Sequence, residues 1–275
     1  MIALPKLPME LRDHLERKIN IVGLSGGKDS VATCILLYYL GIPFKTVTAE
    51  VWWDNETSGE HPYHYEFFHN KLIPKLHSWG IETDIIRSDI TAYQYMTTPI
   101  AYSKEHPERV GKLRGFPLCG MCGIQRDCKS SVCERYYKNI VEPYNVILGF
   151  ANNEKDRVLS ANNQNKISLL DALDIHEYRT FSICHGENLL SPTYSFSDRG
   201  GCWFCANQKI QELELLYRCF PNLWGKLMEI QKMPNKVQEN FNRTQTLYDI
   251  ERQINNGVQM KLFMYDFLGK RSDTE

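Results

Sequence analysis

An apolar, β-branched stretch, Asn20-Ile21-Val22-Gly23-Leu24, runs straight into Ser25-Gly26-Gly27-Lys28-Asp29-Ser30. An apolar run with helical spacing then extends from Asp29 to Leu40 and stops at Gly41-Ile42-Pro43. A strand that feeds a helix through a tight glycine turn is the opening half of a parallel βαβ unit, and this constrains the fold more than any other feature. The rest of the chain continues the alternation. Strands are expected at 44–53, 81–89 and 144–150, and helices at 61–80 and 124–140. Residues 90–121 carry Pro99, Pro107, Gly111, Gly115, Pro117 and Gly120, and read as a long loop with short helical pieces. From 206 to about 256 the pattern is amphipathic and helical, with breaks at Pro221 and Pro234. The expected fold is therefore α/β. It has a Rossmann-like parallel sheet with helices on both faces, a cysteine-rich element, and a C-terminal helical region. The division is an N-terminal extension at 1–17, an α/β domain with the cysteine-rich element at 18–205, and the helical region at 206–275.

In an open parallel sheet, ligands sit at the carboxyl ends of the strands, where a helix begins. Glycines let the backbone approach a phosphate, and the helix N-terminus offers free amides and the positive end of its dipole. Ser25, Lys28 and Ser30 add side-chain donors, and Lys28 is the cation of the turn. The turn is thus a phosphate cradle. It is neither G-x-x-x-x-G-K-[ST] nor G-x-G-x-x-G.

Ser25 to Ser30 resembles the PP-loop of the adenine nucleotide alpha hydrolase-like superfamily. Leu148 to Arg157, "LGFANNEKDR", resembles the Gly-x-x-x-x-Glu-x-x-Arg segment of the phosphoadenosine phosphosulfate (PAPS) reductase family, with Gly149, Glu154 and Arg157 at its positions. "ENLLSPTYSFS" at 187–197 is similar to the short proline-containing strand that follows in that family. The resemblance covers roughly 18–205. It implies an ATP-binding enzyme that activates a substrate by adenylation and releases pyrophosphate, for sulfur transfer to a nucleic acid or a small molecule. The cofactors it implies are ATP and magnesium (Mg2+). Ser25, Gly26, Gly27, Lys28, Asp29, Ser30, Gly149, Glu154 and Arg157 are then the nucleotide-binding set, with Lys28, Asp29 and Asp54 as catalytic candidates. Three of these have a plainer reading beside the functional one. Asp29 either places magnesium or caps the helix, Asp54 is a nucleotide-side carboxylate or a turn residue, and Arg157 meets phosphate or pairs with Glu154.

Two alternatives stay open. One is sulfonucleotide reduction, which in the family uses a cysteine in a C-terminal Glu-Cys-Gly-x-His motif; the sequence has no cysteine after Cys219. The other is a non-catalytic nucleotide-binding module stapled by a metal.

Nine cysteines are many for the cytosolic chain expected here. The odd number argues for metal or redox chemistry rather than a disulfide framework. Cys119-x-x-Cys122 and Cys202-x-x-Cys205 each have glycine beside them, and two such pairs supply the ligands of a tetrahedral zinc (Zn2+) site or a [4Fe-4S] cluster. Zinc is the reading preferred, and Cys128 and Cys133 are substitute ligands. A shared ion would anchor the irregular 90–121 stretch to the 200–205 segment. Cys34 reads as core, and Cys184 and Cys219 as inert. His61, His64, His69 and His77 read as structural, and Trp52, Trp53 and Trp203 as core or pocket wall.

The net charge of −1 advertises no general nucleic-acid surface. Lys104, Arg109, Lys112, Arg114, Arg126, Lys129, Arg135 and Lys138 form a local basic cluster that suits either a polynucleotide backbone or a solvated face. The expected partners are an adenine nucleotide and a nucleic-acid substrate or sulfur-donor protein. No apolar run reaches the ~18 residues a membrane span needs. A cytoplasmic protein is expected.

Overall fold

The computed structural model describes residues 5–117 and 122–256. Helix α1 (Met9–Glu16) leads into β1 (Ile19–Gly23), α2 (Lys28–Tyr39) and β2 (Lys45–Glu50). Next come α3 (Pro62–Phe67), a π-helical turn (Phe68–Leu72), α4 (Ile73–Ser78), β3 (Thr83–Arg87) and α5 (Ala92–Thr97). A 3₁₀ turn (Pro107–Arg109) and β4 (Leu113–Gly115) precede a second π-helical turn (Gln125–Ser130) and α6 (Ser131–Lys138). Then follow β5 (Tyr144–Leu148), α7 (Lys155–Asn163), β6 (Ile167–Ser168), α8 (Leu169–Ala172), α9 (Glu177–Gly186) and a 3₁₀ turn (Pro192–Ser195). The described chain closes with α10 (Ile210–Cys219), α11 (Pro221–Lys232), β7 (Lys236–Gln238) and α12 (Leu247–Asn256).

Five strands form a parallel sheet in the order β3-β2-β1-β5-β6. The chain leaves β1 first to one side and then to the other, so the switch in strand order lies between β1 and β5, and the carboxyl end of β1 opens onto that crevice. Successive residues of a strand face opposite sides, and the cores follow that rule. Val22 and Ile147 join a large core with α2, α8 and α9, while Ile21 and Val146 join a smaller one with Tyr137 of α6. Helices thus cover both faces. Helix α2 is buried along most of its length, which matches its nearly all-apolar sequence.

A third core lies beside the sheet. Trp53, Trp203 and Phe204 meet Ala92, Met96, Phe116, Ile124 and Cys128, and also Leu213, Trp224, Leu227 and Ile250 of the C-terminal helices. These helices bury their apolar faces against the 90–128 region rather than against one another alone.

Four expectations change. The strand expected within 187–197 is a 3₁₀ turn. Pro192 presets a helical φ, and Ser191 accepts a hydrogen bond from the Thr193 amide. The short fifth strand β6 was not anticipated. The region after 206 is not wholly helical, because β7 pairs in parallel with β4. Finally, residues 90–117 are more than a loop with short helical pieces, since β4 lies among them and they pack through contacts of their own. A Thr91–Gln94 capping box starts α5, Ala92 and Tyr93 amides bond the Trp52 and Trp53 carbonyls, and the segment carries Met96 and Phe116 into the third core.

The 61–80 helix forms with a π turn in its middle. Pro74 lacks an N–H and its ring crowds the carbonyl of the preceding turn, so the helix widens there. Residues 257–275 of the expected C-terminal region lie outside the described residues. Among the described residues no helix is long and apolar enough to cross a membrane.

Candidate phosphate turn and its surroundings

The turn joins the carboxyl end of β1 to the N-terminus of α2, with Gly27 at the cap position. Gly26 adopts a φ of +73°, and a Cβ there would stand 2.8–2.9 Å from the rings of Phe68 and His64. Only glycine meets both conditions. The two serines brace the turn. The Ser25 amide donates to Ser30 Oγ at 3.2 Å, and the Ser30 hydroxyl donates to the Gly27 carbonyl at 2.9 Å. The first amides of α2 lack intrahelical acceptors and face the crevice end of the helix, except that Lys28 N–H donates to the Tyr194 hydroxyl at 3.0 Å.

Lys28 is buried. Its ammonium donates to Asp29 Oδ2 at 2.8 Å and Glu177 Oε1 at 2.7 Å, and lies 5.3 Å from the centre of the Phe181 ring. Burial pulls its pKa down, but the two carboxylate bonds outweigh this and leave it above the ordinary lysine value. Asp29 is fixed at both oxygens, since Thr180 donates to Oδ1 at 2.8 Å. As placed, it orients Lys28 rather than offering a free oxygen.

Gly149 lies directly behind the turn. A Cβ there would come within 2.6 Å of Asp29 C and Ser30 N. Glu154 accepts from the Ala151 amide and pairs with Arg157 through Oε1. The Arg157 guanidinium also covers the Phe150 ring at 4.1 Å. Gly149 is therefore brought to the turn, while the described contacts of Arg157 are with its own segment. Asp54 closes a turn of its own. It accepts from the Glu56 and Thr57 amides at 2.9 and 2.7 Å and pairs with Lys226 of α11 at 2.6 Å.

A second cleft, of ≈ 270 Å³, opens beside the turn, where Ser25, Glu50, Glu60, His64 and His69 converge. None of the last four was singled out as a site residue. His64 Nε2 donates to the Ser25 carbonyl and its Nδ1 meets Ser191 Oγ, both at 3.0 Å. Glu50 is buried and accepts from His69, from Trp52 Nε1 and from Arg87. Their spacing in the sequence hides this convergence.

Of the four cysteines assigned to metal, Cys119 lies outside the described residues. Cys202, Cys205 and Cys122 come near one another, and the Gln125 amide points at Cys122 Sγ from 3.5 Å. Burial is the main force raising the Cys202 thiol pKa, and Lys129 works against it. Among the described residues no three His, Cys, Asp or Glu side chains are grouped to hold a metal ion. The described side chains alone therefore do not fit one. Cys128 and Cys133 turn to different cores, with Cys128 in the third and Cys133 against the α6 cluster. Burial pushes Cys184, which donates to the Lys28 carbonyl, up to about 12. Half of the basic cluster is paired with carboxylates, since Arg109, Arg126, Lys129 and Arg135 pair with Glu108, Asp127, Glu60 and Asp89.

No protein-family model matches the chain, and no curated protein matches it.

Proposed function

We propose that the protein is an ATP-using PP-loop enzyme that joins AMP to an acceptor and releases pyrophosphate, as the activating step of a sulfur transfer to a nucleic acid or small molecule. The observation that carries this reading is the position of Ser25–Ser30: a glycine turn at the carboxyl end of β1, at the switch in strand order, with a helix N-terminus behind it. The donor set suits phosphate. The Ser25 and Ser30 hydroxyls, the opening amides of α2 and the Lys28 ammonium all belong to this turn and its helix, and a Cβ on Gly27 would crowd Ser25 Oγ and Tyr194 Oη at 3.3 Å.

On this reading ATP supplies an activated α-phosphorus. The acceptor attacks it, the bond to the β-phosphate oxygen breaks, and pyrophosphate leaves. Lys28 offsets phosphate charge, Asp29 and Glu177 hold the ammonium, and the serines and helix amides orient the phosphates. Gly149 keeps the turn where it is by letting β5 pass close behind. Magnesium would add charge neutralisation at the phosphates, and Asp29 would be the carboxylate of the turn to hold it. Turnover of ATP labelled at the α-phosphate, followed by chromatography, is expected to give AMP and pyrophosphate. ADP as the main product overturns the assignment.

A further inference from the structure

The cation of the phosphate turn is already occupied. The Lys28 side chain is 4% exposed, and its ammonium donates to Asp29 Oδ2 at 2.8 Å and to Glu177 Oε1 at 2.7 Å. The Phe181 and Tyr194 rings enclose it further, with their centres 5.3 and 5.9 Å away. One ammonium between two carboxylates leaves the group with negative charge in excess. An entering phosphate therefore meets repulsion, and a lysine whose hydrogens are already shared, unless one carboxylate gives way.

The two carboxylates are not held equally. Asp29 follows Lys28 on the same helix, is 20% exposed, and accepts from the buried Thr180 hydroxyl at its other oxygen, at 2.8 Å. Glu177 is 44% exposed, and its Oε2 accepts from Asn153 Nδ2 at 3.4 Å, beyond the usual length of such a bond. Helix α9 does not depend on this side chain for its place. Asn153 Oδ1 accepts the Glu177 amide at 3.0 Å, and the helix is anchored by buried Thr180, Ile183 and Cys184. The Glu177 carboxylate can thus turn into solvent while α9, Asp29 and the ammonium stay where they are.

We propose that Glu177 is an exchangeable stand-in for phosphate: its carboxylate caps the Lys28 ammonium in the free protein and yields that place to a phosphate of the incoming ligand. The contact is autoinhibitory. One anion replaces another, so the buried ammonium is never left without a partner, which would be the costly state. The exchange also sets a threshold. Every phosphate that engages Lys28 must first release Glu177, and an anion held by few other contacts fails to do so. This regulation rests on the reading of Ser25–Ser30 as a phosphate site and deepens it.

The test is calorimetric titration of the full chain with inorganic pyrophosphate, with and without magnesium. Glu177→Gln keeps the shape of the side chain and removes its charge. It is expected to bind pyrophosphate about ten-fold tighter than the parent in both conditions. Glu177→Ala, which removes the competing group altogether, is expected to shift affinity the same way, and both variants are checked for an unchanged melting temperature. Asp156→Asn, at an exposed position of α7, removes a carboxylate outside the contact and is expected to bind as the parent does. Equal or weaker binding by both Glu177 variants makes Glu177 a positioning residue for Lys28 and overturns the proposal. Weakening confined to the magnesium titration makes it a magnesium ligand, and an equal gain in Asp156→Asn reduces the effect to net charge; either overturns it too. No pyrophosphate binding by parent or variants removes the exchange and the phosphate turn together. Tighter binding by the Glu177 variants, with ADP as the product of ATP turnover, sinks the proposed function and leaves the exchange standing. AMP and pyrophosphate as products, with no gain in either variant, does the reverse.

Discussion

The Lys28 ammonium lies 2.7 Å from Glu177 Oε1, so the cation of the glycine turn is held by a helix 149 residues further along the chain. The α9 helix that supplies Glu177 also supplies Thr180 to Asp29 and Phe181 to the lysine. The charge is therefore set in place before any phosphate arrives, which lowers the ordering cost of binding.

Lys28→Ala should weaken binding of ATP with magnesium by about ten-fold or more, from loss of a charge-assisted contact worth about 1.5–3 kcal/mol. It also leaves the Asp29 and Glu177 carboxylates beside the turn without their shared cation, which works in the same direction. Calorimetric titration of both proteins checks this, and equal affinities would count against phosphate binding at the turn.

Gly149→Ala places a methyl 2.6 Å from backbone atoms of Asp29 and Ser30, and backbone at the start of a buried helix yields poorly. Overpacking of this kind typically costs about 1–3 kcal/mol. The variant should unfold at lower denaturant concentration and bind ATP more weakly. A midpoint equal to that of the parent protein would show that the turn relaxes freely.

Asp54 gives a pH signature. Burial alone would raise its pKa, but the Lys226 ammonium and the Glu56 and Thr57 amides outweigh that and bring it from 3.8 to about 2. A carboxylate depressed on folding stabilises the folded state above its unfolded pKa, and that contribution is lost as pH falls through the folded value. The stability gap between the parent and Asp54→Asn should therefore be full above about pH 4 and close toward pH 2. Thermal melts across that interval test it, and a gap independent of pH would contradict the assignment.

The paired cysteines make a separate expectation. If Cys119, Cys122, Cys202 and Cys205 bind one ion, anaerobically purified protein should carry about one zinc and no visible absorbance. Cys202→Ser should then lose metal and stability together. Four irons with a brown colour would replace zinc by a cluster, and neither metal would make the pairs ordinary thiols.

What the sequence by itself determined is local. Ser25–Ser30 sits between Ile21-Val22 and the apolar run of α2, and turn chemistry and periodicity act over a few residues, so strand, turn, helix and parallel sheet were all legible there. The strand that the resemblance implied in 187–197 is a 3₁₀ turn instead, because Ser191 caps it and Pro192 presets a helical φ. The tertiary structure alone decided which side chains meet the turn. Glu177, Tyr194 and His64 reach it from separate elements, and no spacing rule links residues brought together by the crossover of strands and the burial of their helices.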